Sequence, residues 1–116
     1  MRELYEYGVP LLLGTDTFGF PGVPPGASVH KELKLLHDSG LSPYDALRTA
    51  TVNPATFLDK PDEFGSIAVG SRANLLLLEA NPLAELQVVG RPLGVMVRGR
   101  WISRSDLQRM IHTLPV

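Results

Sequence analysis

The chain has no cysteine, which excludes disulfides, thiolate metal sites and cysteine nucleophiles together. It has no surplus of charge: 11 basic against 12 acidic side chains leave a net charge of −1, and no run of Lys or Arg exceeds two. A nucleic acid or an anionic membrane therefore finds no electrostatic footprint as a partner. No apolar run approaches the ~20 residues that span a bilayer, and residues 1–7 are polar and acidic, unlike a signal peptide. The sequence reads as a soluble, cytoplasmic protein. Also missing are a Gly-x-Ser-x-Gly elbow for a serine hydrolase and the Gly-x-Gly-x-x-Gly or Walker loops of nucleotide sites.

What is present is an apolar run that stops on an acid, Val9-Pro10-Leu11-Leu12-Leu13-Gly14-Thr15-Asp16, followed by a Gly- and Pro-rich stretch over residues 17–27. Residues 9–13 read as a strand buried on both faces, because the run is apolar without alternation. Parallel α/β proteins place catalytic or metal-binding carboxylates at such strand ends, beside a loop. The 116 residues make one domain, whereas a complete (β/α)8 barrel needs about 250.

Helices surround this run. Residues 1–7 read as a helix end stopped by Gly8, a start that suggests truncation. Ser28 reads as the cap of a helix over 29–39, with Val29, Leu33 and Leu36 on one stripe and Gly40 as its stop. Ser42-Pro43-Tyr44-Asp45 opens the next helix as a variant capping box, and Asn53-Pro54 repeats the cap-then-proline device for a helix over 54–58. From Phe64 the pattern turns to strands. Residues 64–70 are a short extended piece, 74–79 a strand buried on both faces, and 93–98 and 100–102 a hairpin about Gly99 that buries Met96, Val97 and Trp101. Residues 103–114 close as a helix with Leu107, Met110, Ile111 and Leu114 inward.

The residue types leave several alternatives open. Asp16 is either a metal ligand and proton acceptor or an Asp that ends a strand by bonding its own backbone. Phe18 and Phe20 either contact a substrate or pack their loop down. His30 and His37 share a helical face, but seven residues at ~1.5 Å rise set them about 10 Å apart, too far for one ion.

The order of pieces resembles the C-terminal third of the metal-dependent amidohydrolase superfamily, nearest its imidazolonepropionase-like and Xaa-Pro-dipeptidase-like members. The matching segments are Gly14-Thr15-Asp16, His30-Lys31-Glu32-Leu33, Gly40 to Leu47, Ala50-Thr51-Val52-Asn53-Pro54-Ala55, Gly65-Ser66-Ile67-Ala68-Val69-Gly70 and Ala73 to Leu78. Each is weak alone, and their collinear order is specific. The resemblance implies an α/β to α+β fold: residues 1–60 as the eighth strand, loop and last helices of a (β/α)8 barrel, and residues 61–116 as β-sandwich strands with a C-terminal helix. It implies that Asp16 is the last ligand of a Zn²⁺ or other divalent metal and a general base, and that His30 contacts substrate. Asn74 stands where many relatives carry Asp, a structural position. The family's remaining metal ligands have no counterpart here, so the sequence resembles a fragment.

The expected function is thus the C-terminal part of a metal-dependent hydrolase of C–N bonds in small-molecule amides, cyclic amides or dipeptides, inactive as an isolated chain and with no metal of its own. The alternative is a non-catalytic α+β domain that self-associates or pairs with another chain through exposed apolar surface.

Overall fold

The computed structural model describes residues 1–17 and 25–113. The expectations for Phe18, Phe20 and Leu114 fall outside these residues. Five helices, α1 (Arg2–Glu6), α2 (Ala27–Asp38), α3 (Pro43–Ala50), α4 (Val52–Phe57) and α5 (Arg104–His112), accompany three strands, β1 (Leu75–Leu77), β2 (Gly94–Val97) and β3 (Arg100–Ser103). A 3-10 helix, Leu86–Gly90, joins β1 to β2. The strands form one antiparallel sheet in the order β1-β2-β3.

The core lies between α2, α3 and the 3-10 helix. Leu33 and Leu36 of α2 meet Leu41, Ala46, Leu86 and Val89, with Leu11, Leu13, Val29, Leu47 and Leu78 packed against them. Full burial of each leucine stabilises the fold by about 1.5–3 kcal/mol. Ala46, fully buried in this core, lets α3 approach α2 closely. The turn after α2 locks this arrangement: Gly40 N–H bonds the His37 carbonyl and Leu41 N–H the Leu36 carbonyl, a Schellman closure with Gly40 at φ 104°. The same pattern ends α4, but there the left-handed residue is Asp59, at φ 57°.

Capping follows the expectation at Ser42, whose Oγ accepts from Asp45 N–H at 3.1 Å. Ser103 caps α5 the same way, accepting from Asp106 N–H at 3.2 Å. Ser28 does not cap. The helix begins at Ala27 after Gly26, so Ser28 falls inside its first turn, buried, with no partner for Oγ. Asn53 does not cap either, because α4 begins at Val52 and draws Asn53 into the helix.

Several strand expectations are corrected. Residues 9–17 run without regular structure: a strand requires a neighbouring strand to complete its ladder, and helices are what flank this segment. Its burial is one-sided, with Leu11 and Leu13 against the core and Val9 and Leu12 exposed. Residues 64–70 form bends and a turn rather than an extended piece. β1 is not buried on both faces. It is an edge strand of three residues, and Leu76 and Leu77 are exposed on its opposite faces. The hairpin forms about Arg98 and Gly99, at φ 49° and 81°, the double left-handed signature of a type I′ turn. Val97 and Trp101 are exposed on it, and α5 turns Leu107 towards the protein while Met110 and Ile111 stay exposed. A three-stranded sheet with one short helix against it has too little partner surface to cover them.

Candidate functional site

Asp16 ends the segment that α3 and α4 hold. Leu13 N–H donates to the Thr49 carbonyl at 2.9 Å, and Asn53 Nδ2 donates to the Leu11 carbonyl at 2.9 Å across 42 residues. The two bonds tie the segment to the helices α3 and α4. Three residues beyond Leu13, Asp16 is exposed with φ 47°. A non-glycine residue there costs about 1–2 kcal/mol, although Asp tolerates the conformation better than most. Among the described residues no donor bonds its carboxylate.

His30 lies elsewhere. Its ring faces the 3-10 helix, where a Cβ added at Gly90 would sit 3.6 Å from His30 Nδ1. His30, Lys34, His37 and Leu86 line a cavity of about 120 Å³ that does not include Asp16. His37 Nδ1 lies 2.8 Å from the Leu41 carbonyl. A carbonyl only accepts, so His37 carries its proton on Nδ1. The two histidines therefore share a face and a cavity.

The other end of the extended segment opens a cavity of about 550 Å³, lined by Tyr5, Val9, Leu12, Asp45, Arg48 and Phe57 among others. Its polar groups are already engaged. Asp45 accepts from Ser42 Oγ at 2.5 Å; this bond first, and the neighbouring Tyr5 hydroxyl after it, hold its carboxyl below the usual range. Tyr5 is pushed up, first by its interaction with the Asp45 carboxylate. The Arg48 guanidinium stacks 5.8 Å from the Tyr44 ring centre.

Two of the separated sequence motifs meet in space. Gly65 of Gly-Ser-Ile packs so tightly on α4 that an added Cβ would lie 2.6 Å from the Thr51 carbonyl oxygen and 2.9 Å from Ala55 Cβ. Asn74 Oδ1 accepts from Arg98 N–H at 2.8 Å, a structural role an Asp carboxylate fills equally. Asn53 is the residue that sequence reasoning missed. Its Asn-Pro setting resembles a cap, and only its distance from a cap position within α4 reveals the long-range bond.

Among the described residues no three His, Asp or Glu side chains gather where they could hold a metal ion. A catalytic zinc takes three protein ligands. The described residues alone therefore do not make a zinc site, and among them Asp16 is at most one donor to it. No helix among the described residues is long and apolar enough to cross a membrane.

Comparison with known proteins agrees with this anatomy. The imidazolonepropionase of Alkaliphilus oremlandii is 30% identical over 84 residues, which are 68% of this chain and 18% of that protein. The solved structure of a Xaa-Pro dipeptidase with methionine bound in its active site superposes with TM-score 0.75 at 29% identity, over 88% of this chain and 24% of the other. Molinate hydrolase superposes with TM-score 0.79 at 26% identity, over 98% and 28%. The chain thus spans less than a third of each of these three proteins. The model of the amidohydrolase family matches residues 1–102, which include the held segment, the left-handed Asp16 and the packed Gly65, and the chain belongs to that family.

Proposed function

We propose that this chain forms the C-terminal portion of a hydrolase of C–N bonds in amides, cyclic amides or dipeptides, with residues 1–60 as the end of its barrel and residues 61–116 as sandwich strands and a final helix. In this reading Asp16 supplies one carboxylate to a divalent metal site, most simply zinc, whose other donors come from outside the described residues. It also accepts a proton from the attacking water. His30, on the first turn of α2, is the substrate-contacting residue of this reading, although it faces a cavity apart from Asp16, so it would touch a part of the substrate remote from the metal. The observation that carries it is the exposed, left-handed Asp16 at the end of a segment pinned from two helices, within a family match over residues 1–102.

The isolated chain is expected to show no amidase turnover with added zinc. The positive test grafts residues 1–102 in place of the matching segment of the Alkaliphilus imidazolonepropionase. The chimera should hydrolyse that enzyme's substrate and retain bound metal. Asp16→Asn in the chimera should cost about 10²-fold or more in kcat, the scale of a lost general base, and lower the metal content. An Asp16→Asn chimera with undiminished rate and metal would overturn the assignment.

A further inference from the structure

Asp16 is held in place by bonds that do not touch it. Between Pro10 and Asp16, among the described residues, two hydrogen bonds tie the segment to the rest of the chain: Leu13 N–H to the Thr49 carbonyl and Asn53 Nδ2 to the Leu11 carbonyl, each at 2.9 Å. One bond fixes a point on a chain, and two fix its direction. At up to about 3.3–3.6 Å per residue, the three residues from Leu13 to Asp16 carry a change of direction as far as about 10 Å onward. Asp16 therefore inherits its placement from Leu11 and Leu13.

The two ties differ in kind. Thr49 lies buried in the last turn of α3, and its tie uses the main chain, which any residue at that position would supply. The tie at Leu11 depends on one side chain. A carbonyl only accepts, so the amide must present Nδ2, and an Asp of the same shape would face that carbonyl with a second acceptor. Asn53 also has a fixed base. It stands on the first turn of α4 between Thr51 and Ala55, the two residues on which Gly65 packs, and Lys60 N–H closes the far end of α4 on the Ala55 carbonyl at 2.8 Å. Each of these contacts is made within the chain itself.

We propose that Asn53 is a positioning residue: its amide, through the Leu11 carbonyl, sets the direction in which the segment presents Asp16. What this placement does for catalysis rests on the reading of Asp16 as a metal ligand and proton acceptor. Asn53 touches no reacting atom in that scheme and acts only through the main chain. A reacting group misplaced by about 1 Å can cost about 10²-fold in rate. Substrate groups held elsewhere keep their contacts, so the loss falls on kcat and leaves KM nearly unchanged.

Amide NMR relaxation on the 116-residue chain reads the placement directly, with folding of each variant checked by far-UV circular dichroism. In Asn53→Ala and Asn53→Asp, the order parameters of Gly14, Thr15 and Asp16 should fall from about 0.85 to below about 0.6, while Leu33 and Leu36 in the core stay rigid. Asn53→Gln keeps a donor and should lie between these variants and the unaltered chain; it carries the comparison if Asn53→Ala does not fold. Ser103→Ala, which loses a remote helix cap, should leave residues 14–16 unchanged. Order parameters at 14–16 that are already low in the unaltered chain, that do not move in the Asn53 variants, or that fall equally in Ser103→Ala would overturn the proposal. In the chimera described above, Asn53→Ala should lower kcat about tenfold or more with KM within about twofold, and an unchanged kcat would also overturn it. A chimera without turnover, or one indifferent to Asp16→Asn, counts against the reading of Asp16 alone, and the order parameters then decide the role of Asn53 by themselves.

Discussion

Gly65→Ala tests whether the contact between the Gly-Ser-Ile and Asn-Pro-Ala motifs holds the fold together. Gly65 has φ 93°, where an L side chain is strained by about 1–2 kcal/mol. The new methyl would also meet the Thr51 carbonyl oxygen at 2.6 Å and Ala55 Cβ at 2.9 Å, an overpacking that costs about 1–3 kcal/mol. Loss of chain freedom in the unfolded state returns about 0.4–1 kcal/mol. The net expectation is a destabilisation of about 2–4 kcal/mol, a large share of the roughly 5–15 kcal/mol typical of a domain. Gly70→Ala is the control, because Gly70 has φ 92° but open space around it. It carries only the conformational part, about 0–1.5 kcal/mol. Urea unfolding followed by far-UV circular dichroism measures both, provided the slope with denaturant is unchanged. In an Ala55→Gly background the penalty at Gly65 should shrink without vanishing, since the carbonyl contact stays. Gly65→Ala and Gly70→Ala variants agreeing within about 0.5 kcal/mol would show that the steric argument is wrong.

Asn53→Ala removes the bond to the Leu11 carbonyl and should cost about 1–2 kcal/mol, with faster hydrogen exchange at Leu13 as the local readout. Asp59→Gly should stabilise the chain by up to about 1 kcal/mol, seen as a higher urea midpoint, because glycine adopts the left-handed helix end without strain. Ser103→Ala should destabilise by about 1 kcal/mol through loss of the α5 cap, measured in the same way. Asp106 is held below the usual carboxylate range, first by Ser103 and then by Arg109, and Asp45 by Ser42 and Tyr5. A depressed folded pKa means the unfolded chain takes up protons first, so this stability is present above about pH 4 and fades as pH falls through the folded values. Replacing both acids with Asn should flatten that part of the pH profile of the urea midpoint.

The helices were legible because their signals are local. Ser42-Pro43 and Gly40 announce ends by chemistry that acts within one turn, and α3 and the close of α2 follow them. The apolar run at residues 9–13 was legible as an important segment but not as what it becomes. Hydrophobic pattern reports burial, while strand structure depends on a neighbouring backbone that the pattern does not contain. The same holds for Leu76, Leu77, Met110 and Ile111, whose apolar character is real although their cover is not among the described residues. At the candidate site, Asp16 could be singled out because an acid that ends an apolar run is conspicuous. Its left-handed backbone was not foreseeable, since nothing in Thr15-Asp16 demands it. Asn53 was misread because a cap and a long-range donor use the same amide, and the 42-residue separation leaves no mark on the sequence.

The 3-10 helix Leu86–Gly90 carries a consequence for the order of assembly. Its Leu86 and Val89 belong to the same core as Leu33 and Leu36 of α2, yet it sits on the connection that brings β2 back to β1. α2 with α3, and β2 with β3, join neighbours in the chain and close quickly, whereas pairing β1 with β2 requires that connection to be closed first. Docking the 3-10 helix on α2 closes a longer loop, between Leu33 and Leu86, than pairing Leu76 with Val95 does. The sheet is therefore able to close ahead of the helical layer, and a mutation at Leu86 or Val89 would loosen the joint between the two layers although neither residue belongs to the sheet.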